Sequence, residues 1–215
     1  MTPVRIALED VVLHGNLHVP EHCLGMVLFS HGSGSSRWSP RNNYVAEKLH
    51  ENGIGTLLFD LLTEREDSDY HMRFNINLLT IRLIKTTEWL LGHKEIQILP
   101  IGYFGASTGA ASALMAAAHF GSRITSVVSR GGRPDLAIAQ LTKVRAPTLL
   151  IVGELDRAVI EFNQQAYHAL SCTKHLTIVP GATHLFEEPG KLAEVARLSA
   201  AWFTKWFTKL EGHEI

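Results

Sequence analysis

What most constrains this chain is the alternation of short, continuously apolar runs with longer amphipathic stretches, punctuated by glycine. Met26–Ser30 and Ile54–Leu62 are such runs, the pattern of strands covered on both faces, and further strands are read at Ile96–Phe104, Ile124–Ser129, Thr148–Val152 and Leu176–Val179. Helical stretches fall between them. One begins at Ser39-Pro40, an N-cap followed by a first-turn proline, carries Val45 and Leu49 four residues apart, and stops at Gly53. Asn75–Leu91 puts Ile76, Leu79, Leu83 and Leu90 on one face. Others lie near Thr108–His119, Pro134–Leu141 and Arg157–Leu170, and a final helix, Lys191–Leu210, is read as burying Leu192, Val195, Trp202, Trp206 and Leu210. Before them, Val4–Leu8 and Val11–Val19 flank Glu9-Asp10 as an antiparallel hairpin. The polar run Thr63–Arg73 reads as a loop. The order predicts an α/β fold: a mostly parallel, doubly wound sheet of about eight strands, opened by an antiparallel hairpin, with helices on both faces. No composition break or repeat divides the chain, so residues 1–215 are read as one domain.

Composition narrows the partners. Hydrophobic residues make up 46% of the 215, enough for a core without disulfide or metal staples. Lys and Arg (20) nearly balance Asp and Glu (21), and the formal charge of −1 lacks the basic excess of nucleic-acid binders or of proteins held to anionic membranes. Cys23 and Cys172 form no metal-ligand spacing and read as buried or half-buried thiols. The first nine residues carry charges and no apolar core of a secretory signal, and the longest small-apolar stretch, Ala110–Ala118, is far too short to span a bilayer. The expectation is a cytoplasmic protein with no metal and no cofactor. Its oligomeric state leaves no trace in the sequence.

Chemistry concentrates where strands end. Gly105-Ala106-Ser107-Thr108-Gly109 fits the G-x-S-x-G nucleophile elbow. The pattern alone is weak, but it follows an apolar run and opens an alanine-rich helix, the strand–turn–helix setting that projects a serine from a strained turn. Only small residues fit around such a turn, and Gly105, Ala106, Gly109 and Ala110 comply. The bland alternative is an ordinary serine N-cap.

A serine hydroxyl needs a base. Of the 12 histidines, His184 lies in a loop directly after a strand, in Pro180-Gly181-Ala182-Thr183-His184. His119, His168 and His175 lie within or at the far ends of elements, and His50 and His93 flank helix C-termini, where positive charge is welcome. Asp156, in Gly153-Glu154-Leu155-Asp156, follows another strand and would orient the imidazole. Glu154 and Asp60 compete with it, and Asp156 could instead cap the next helix. The chain order Ser107, Asp156, His184 is that of α/β-hydrolases. An oxyanion hole would use the amide of Thr108 and one from His31-Gly32-Ser33-Gly34-Ser35-Ser36, Ser33 first and Gly34 second.

With these motifs in place, the chain from about Val4 to Leu210 resembles the α/β-hydrolase superfamily, specifically its dienelactone-hydrolase-like group. The resemblance rests on His31-Gly32-Ser33-Gly34, Gly105–Gly109, Gly153–Asp156 and Ala182-Thr183-His184-Leu185-Phe186. The stretches Ser35–Asn42 and Ser129–Asp135 look like a subgroup in which such a domain sometimes follows a phosphoribosyltransferase domain, and no such second domain is expected in this chain. The resemblance implies hydrolysis of esters or lactones without a cofactor. Ser107 departs from dienelactone hydrolases proper, which use cysteine.

Only 16 residues, Gly131 to Ala146, separate Arg130 from the next strand, which leaves no room for a large lid and predicts an open site for a small acyl substrate. Arg37, Arg41, Arg130 and Arg133 fall beyond strand ends and are candidates for binding an anionic group on it, against the alternative of surface arginines or internal ion pairs. The expected activity is cleavage of carboxylic esters, lactones or thioesters. The alternatives are an amidase or peptidase with the same triad, or a non-catalytic binding protein on the same fold.

Overall fold

The apolar runs become the strands of an eight-stranded sheet in the computed structural model, which describes residues 1–209. β1 (Thr2–Ala7) and β2 (Val12–His18) form the hairpin, with Val4 opposite Gly15 and Ile6 opposite Leu13. Then come β3 (Gly25–Ser30), α1 (Pro40–His50), β4 (Ile54–Phe59), a short α2 (Glu64–Asp67), α3 (Ile76–Leu91), β5 (Ile101–Ala106), α4 (Thr108–Phe120), β6 (Ile124–Arg130), β7 (Thr148–Gly153), α5 (Arg157–Ala169), β8 (Lys174–Val179) and α6 (Lys191–Thr208). The strand order is β1-β2-β4-β3-β5-β6-β7-β8. β2 runs antiparallel to β4, and every pairing from β4 through β8 is parallel.

The sheet separates two cores. On one face Leu28, Leu57, Tyr103 and Leu150 pack with Leu79 and Leu83 of α3 and Leu114 of α4. On the other, Phe29, Leu58, Phe104 and Ile151 pack with Val45 and Leu49 of α1 and Val195 and Phe203 of α6. Each such buried side chain is worth roughly 2 kcal/mol, and together they fix the sheet's carboxyl edge, where the loops of interest lie.

Several boundaries differ from the sequence expectation. Residues 96–100 are a turn, closed by Leu99 N–H on the Ile96 carbonyl, with Ile98 exposed, so β5 begins five residues late. The polar run after β4 contains α2, held by a complete capping box between Thr63 and Glu66, and a 3₁₀ turn at Met72–Phe74. On α6 the fully buried aromatics are Phe203 and Phe207, one residue on from the half-buried Trp202 and Trp206. Gly25 and Gly102 make room for them: a Cβ would meet Phe207 at 2.5 Å and Phe203 at 2.7 Å. Leu210 lies outside the described residues. The β6–β7 connection holds a 3₁₀ helix, Pro134–Lys143, packed against α4 and α5. No helix among the described residues is long and apolar enough to cross a membrane.

Candidate active site

Ser107 occupies the turn between β5 and α4 with φ +51° and ψ −124°, a backbone conformation rare for a residue with a side chain. Its surroundings hold it there. The Ser107 amide donates to the Arg130 carbonyl (3.2 Å), and its carbonyl accepts from the amides of Arg133 (3.0 Å) and Ala110 (3.1 Å). The flanking glycines are required by close approach. A Cβ on Gly105 would lie 2.5 Å from Ala110 Cα, and one on Gly109 would collide with the Ser30 carbonyl.

The β3–α1 loop presses on this turn from above. A Cβ on Gly32 would stand 3.0 Å from Ser107 Cβ and 3.7 Å from its Oγ. The Gly32 carbonyl accepts from the Ser35 amide (3.1 Å), closing a tight turn in which Gly34 takes the left-handed position (φ +69°). The Ser33 amide donates to Thr108 Oγ1 at 2.9 Å. Loop and elbow therefore meet through Gly32 and Ser33, while a Cβ on Gly34 would face Arg73. His31, wholly buried, accepts the Leu61 amide at Nε2 (3.1 Å) and so donates from Nδ1 to the Gly32 carbonyl (3.0 Å). Burial lowers its pKa and keeps it neutral. Sequence reading took His31 as motif alone; its bond to Leu61 depends on β3 and β4 ending side by side.

His184 and Asp156 meet at the same edge. His184 Nδ1 and Asp156 Oδ2 are 2.6 Å apart. Asp156 stands at the N-cap of α5 yet makes no side-chain capping bond, so its carboxylate serves the imidazole and not the helix. Gly131, directly after Arg130 and at φ +51°, lies beneath the imidazole: a Cβ there would be 3.4 Å from Nδ1. The histidine loop is staked on both sides. Phe186 is fully buried at φ +57°, and Thr183 donates to Glu188 from its amide (3.2 Å) and hydroxyl (2.5 Å). The Thr183 hydroxyl holds Glu188 below the usual carboxylate range. No hydrogen bond joins Ser107 Oγ to His184 Nε2 among the described residues; such bonds are commonly long in unliganded enzymes and tighten with substrate.

The competing carboxylates have other tasks. Glu154 accepts the Gly181 amide (2.7 Å), shaping the histidine loop. Asp60 takes both the amide and the guanidinium of Arg37, whose cation also lies over the Trp38 ring. Arg37 is thus an internal ion pair, as is Arg133, bidentate to Asp135. Arg41 pairs with Glu187 (2.8 Å), whereas Arg130 meets no carboxylate among the described residues. His93 does cap a helix end, accepted by the Trp89 and Leu90 carbonyls. His50 does not: its ring stacks on His18, its Nε2 lies 2.7 Å from Thr56 Oγ1, and burial with the His18 neighbour pushes it down to about 4. Cys23 and Cys172 are free, half-buried thiols raised by burial. Among the described residues no cluster of three or more His, Cys, Asp or Glu could hold a metal ion.

No family model matches the chain. A dienelactone hydrolase from Anabaena variabilis superposes with a TM-score of 0.93 at 51% identity, over 95% of this chain and 97% of that one. The chain belongs to the dienelactone hydrolase family. Est1E from Butyrivibrio proteoclasticus (TM-score 0.80, 15% identity, 96% of this chain and 99% of that one) and a proline iminopeptidase from Mycobacterium smegmatis (0.78, 12%, 97% and 100%) share the α/β-hydrolase fold. Two curated Mycobacterium tuberculosis proteins, provisionally named phosphoribosyl transferases, are 54% identical over 200 residues, 93% of this chain. The chain spans 45% of their length. Within the dienelactone hydrolase family, this chain carries serine at its elbow.

Proposed function

We propose that the protein is a serine hydrolase cleaving small carboxylic esters, lactones or thioesters through an acyl-enzyme. Ser107 attacks the carbonyl as His184 takes its proton and passes it to the leaving group. Asp156 orients the imidazole and stabilises its charged form, and water activated at His184 then releases the acid. The amides of Thr108 and Ser33 receive the oxyanion. One observation carries the reading: a serine held at positive φ in the turn after β5, with a histidine after β8 whose Nδ1 is engaged by the Asp156 carboxylate at 2.6 Å at the same edge of the sheet.

The Ser33 amide adds selectivity for the transition state. At rest it donates to the Thr108 hydroxyl. A neutral substrate carbonyl competes poorly with that hydroxyl, whereas a developing oxyanion accepts about twice as strongly and displaces it. Labelling by a fluorophosphonate probe tests the assignment: wild type labels and Ser107→Ala does not. Equal labelling of both, or turnover of chromogenic esters by Ser107→Ala, would overturn it.

A further inference from the structure

One cation near this site has no counter-charge among the described residues. The Arg130 side chain, at the carboxyl end of β6, is only 7% exposed, and its Nε and Nη1 have no hydrogen-bond partner. Its Nη2 reaches only Asn42 Oδ1, at 3.5 Å. The strand's alternation puts Arg130 on the same face as Val128, toward α1 and α6. The wall it meets is also positive. Arg41 and Asn42 lie in the first turn of α1, behind the Ser39 N-cap, where the helix dipole is positive. Arg41 Nε is likewise buried without a partner. Burial and the Arg41 charge push Arg130 down to about 10, an unusual depression for a guanidinium.

Burying an unpaired charge is costly, and fixed cations ordinarily acquire acids during folding, as Arg82 does here with Asp10 and Glu66. Two guanidiniums and a helix N-terminus converge at this point, and among the described residues the carboxylate paired with Arg41, Glu187, is itself exposed. An anion is the missing element.

We infer that Arg130 and Arg41, with the first turn of α1, form a subsite for an anionic oxygen group on the substrate, a carboxylate or a phosphate. The inference rests on the hydrolase reading above for its link to catalysis. The link is short: the Arg130 carbonyl accepts the Ser107 amide, and Gly131 lies under His184. Arg41 and Glu187 are both partly exposed, so solvent reaches this side of the cluster. An entering anion gives Arg130 the parallel two-bond contact its planar fork is built for.

The test compares kcat/KM for matched esters, neutral, carboxylate-bearing and phosphate-bearing, in wild type, Arg130→Met and Arg41→Met. Tm is measured alongside, with and without inorganic phosphate. The expected result is a preference of about tenfold or more for at least one anionic ester, the scale of a hydrogen-bonded contact to a charged group. That preference collapses in both variants. Phosphate raises the Tm of wild type but not of Arg130→Met, and in phosphate-free buffer Arg130→Met is at least as stable as wild type, because an unpaired buried charge has been removed. The carboxylate and phosphate arms identify which anion is taken. Equal rates on neutral and anionic esters, or a Tm lowered by Arg130→Met without phosphate, overturn the subsite. If no ester is turned over, the hydrolase reading fails, and the phosphate-dependent Tm still decides the subsite.

Discussion

The main-chain amide of Ser33 donates to the side-chain hydroxyl of Thr108 at 2.9 Å, joining two oxyanion-donor candidates 75 residues apart. The bond closes the β3–α1 loop onto the Ser107 turn and leaves neither group unsatisfied at rest. In Thr108→Val the amide loses its resting acceptor at nearly constant shape. We expect stability to fall by about 1 kcal/mol, the usual cost of an unpaired buried donor. KM for neutral esters should fall, because the ground-state carbonyl then finds a vacant donor, while Thr108→Ser should match wild type in both. A raised KM in the valine variant would instead mean that the hydroxyl itself helps to hold substrate.

Asp156 faces His184 and caps nothing. Asp156→Asn preserves the shape but offers an amide that cannot stabilise an imidazolium, so kcat should drop on the order of 10³–10⁴-fold, with KM little changed. Steady-state kinetics with a chromogenic ester checks it. A loss below tenfold would remove Asp156 from the proton path.

Two glycines separate crowding from backbone strain. In Gly109→Ala the new methyl meets the Ser30 carbonyl inside the core, and we expect a loss of roughly 3 kcal/mol or failure to fold. Gly190, at φ +80° ahead of α6, has nothing within 4 Å, so Gly190→Ala should cost only about 1 kcal/mol from the left-handed backbone. Urea unfolding of the two variants would reveal that order.

Arg82 ties the hairpin turn to α2 and α3 through Asp10 (2.9 Å) and Glu66 (2.9 Å) while only 3% exposed. Removing it in Arg82→Met strands Glu66, and we expect a loss of about 3 kcal/mol. This is the opposite sign to that expected for Arg130→Met. Thermal unfolding of both variants in one buffer makes the comparison.

A buried histidine, His31, and a half-buried one, His50, set an acid limit. His50 titrates at about 4 in the fold, and burial lowers His31 as well, against about 6.5 in an unfolded chain. Between those values the unfolded state binds more protons, so stability rises with pH there. The contribution is fully present above about pH 6.5 and is lost as pH falls toward 4. Denaturant midpoints across this range should show the slope, and His50→Gln should flatten it.

The sequence exposed those parts of the site that depend on local chain geometry. Gly105 and Gly109 announce a turn too tight for side chains, and Asp156 and His184 each follow a strand, which puts both at one sheet edge. What escaped were partnerships set by tertiary packing. Arg37 looks free until Asp60, at the end of the neighbouring strand, closes on it. His50 looks like a helix cap until β2 brings His18 over its ring. On α6, with aromatic residues at 202, 203, 206 and 207, a rotation of one residue separates the tryptophan face from the phenylalanine face, and only Gly25 and Gly102 on the opposing sheet decide between them. Ile96, Ile98 and Leu99 are apolar without a period, so the turn they form passed for a strand.

The connection between β6 and β7 is a ten-residue 3₁₀ segment laid flat on α4 and α5. Among the described residues this connection supplies no hinged cover for an oil droplet to pry open. Turnover of a sparingly soluble ester should therefore track its dissolved concentration and level off once micelles form, where a lipase would accelerate.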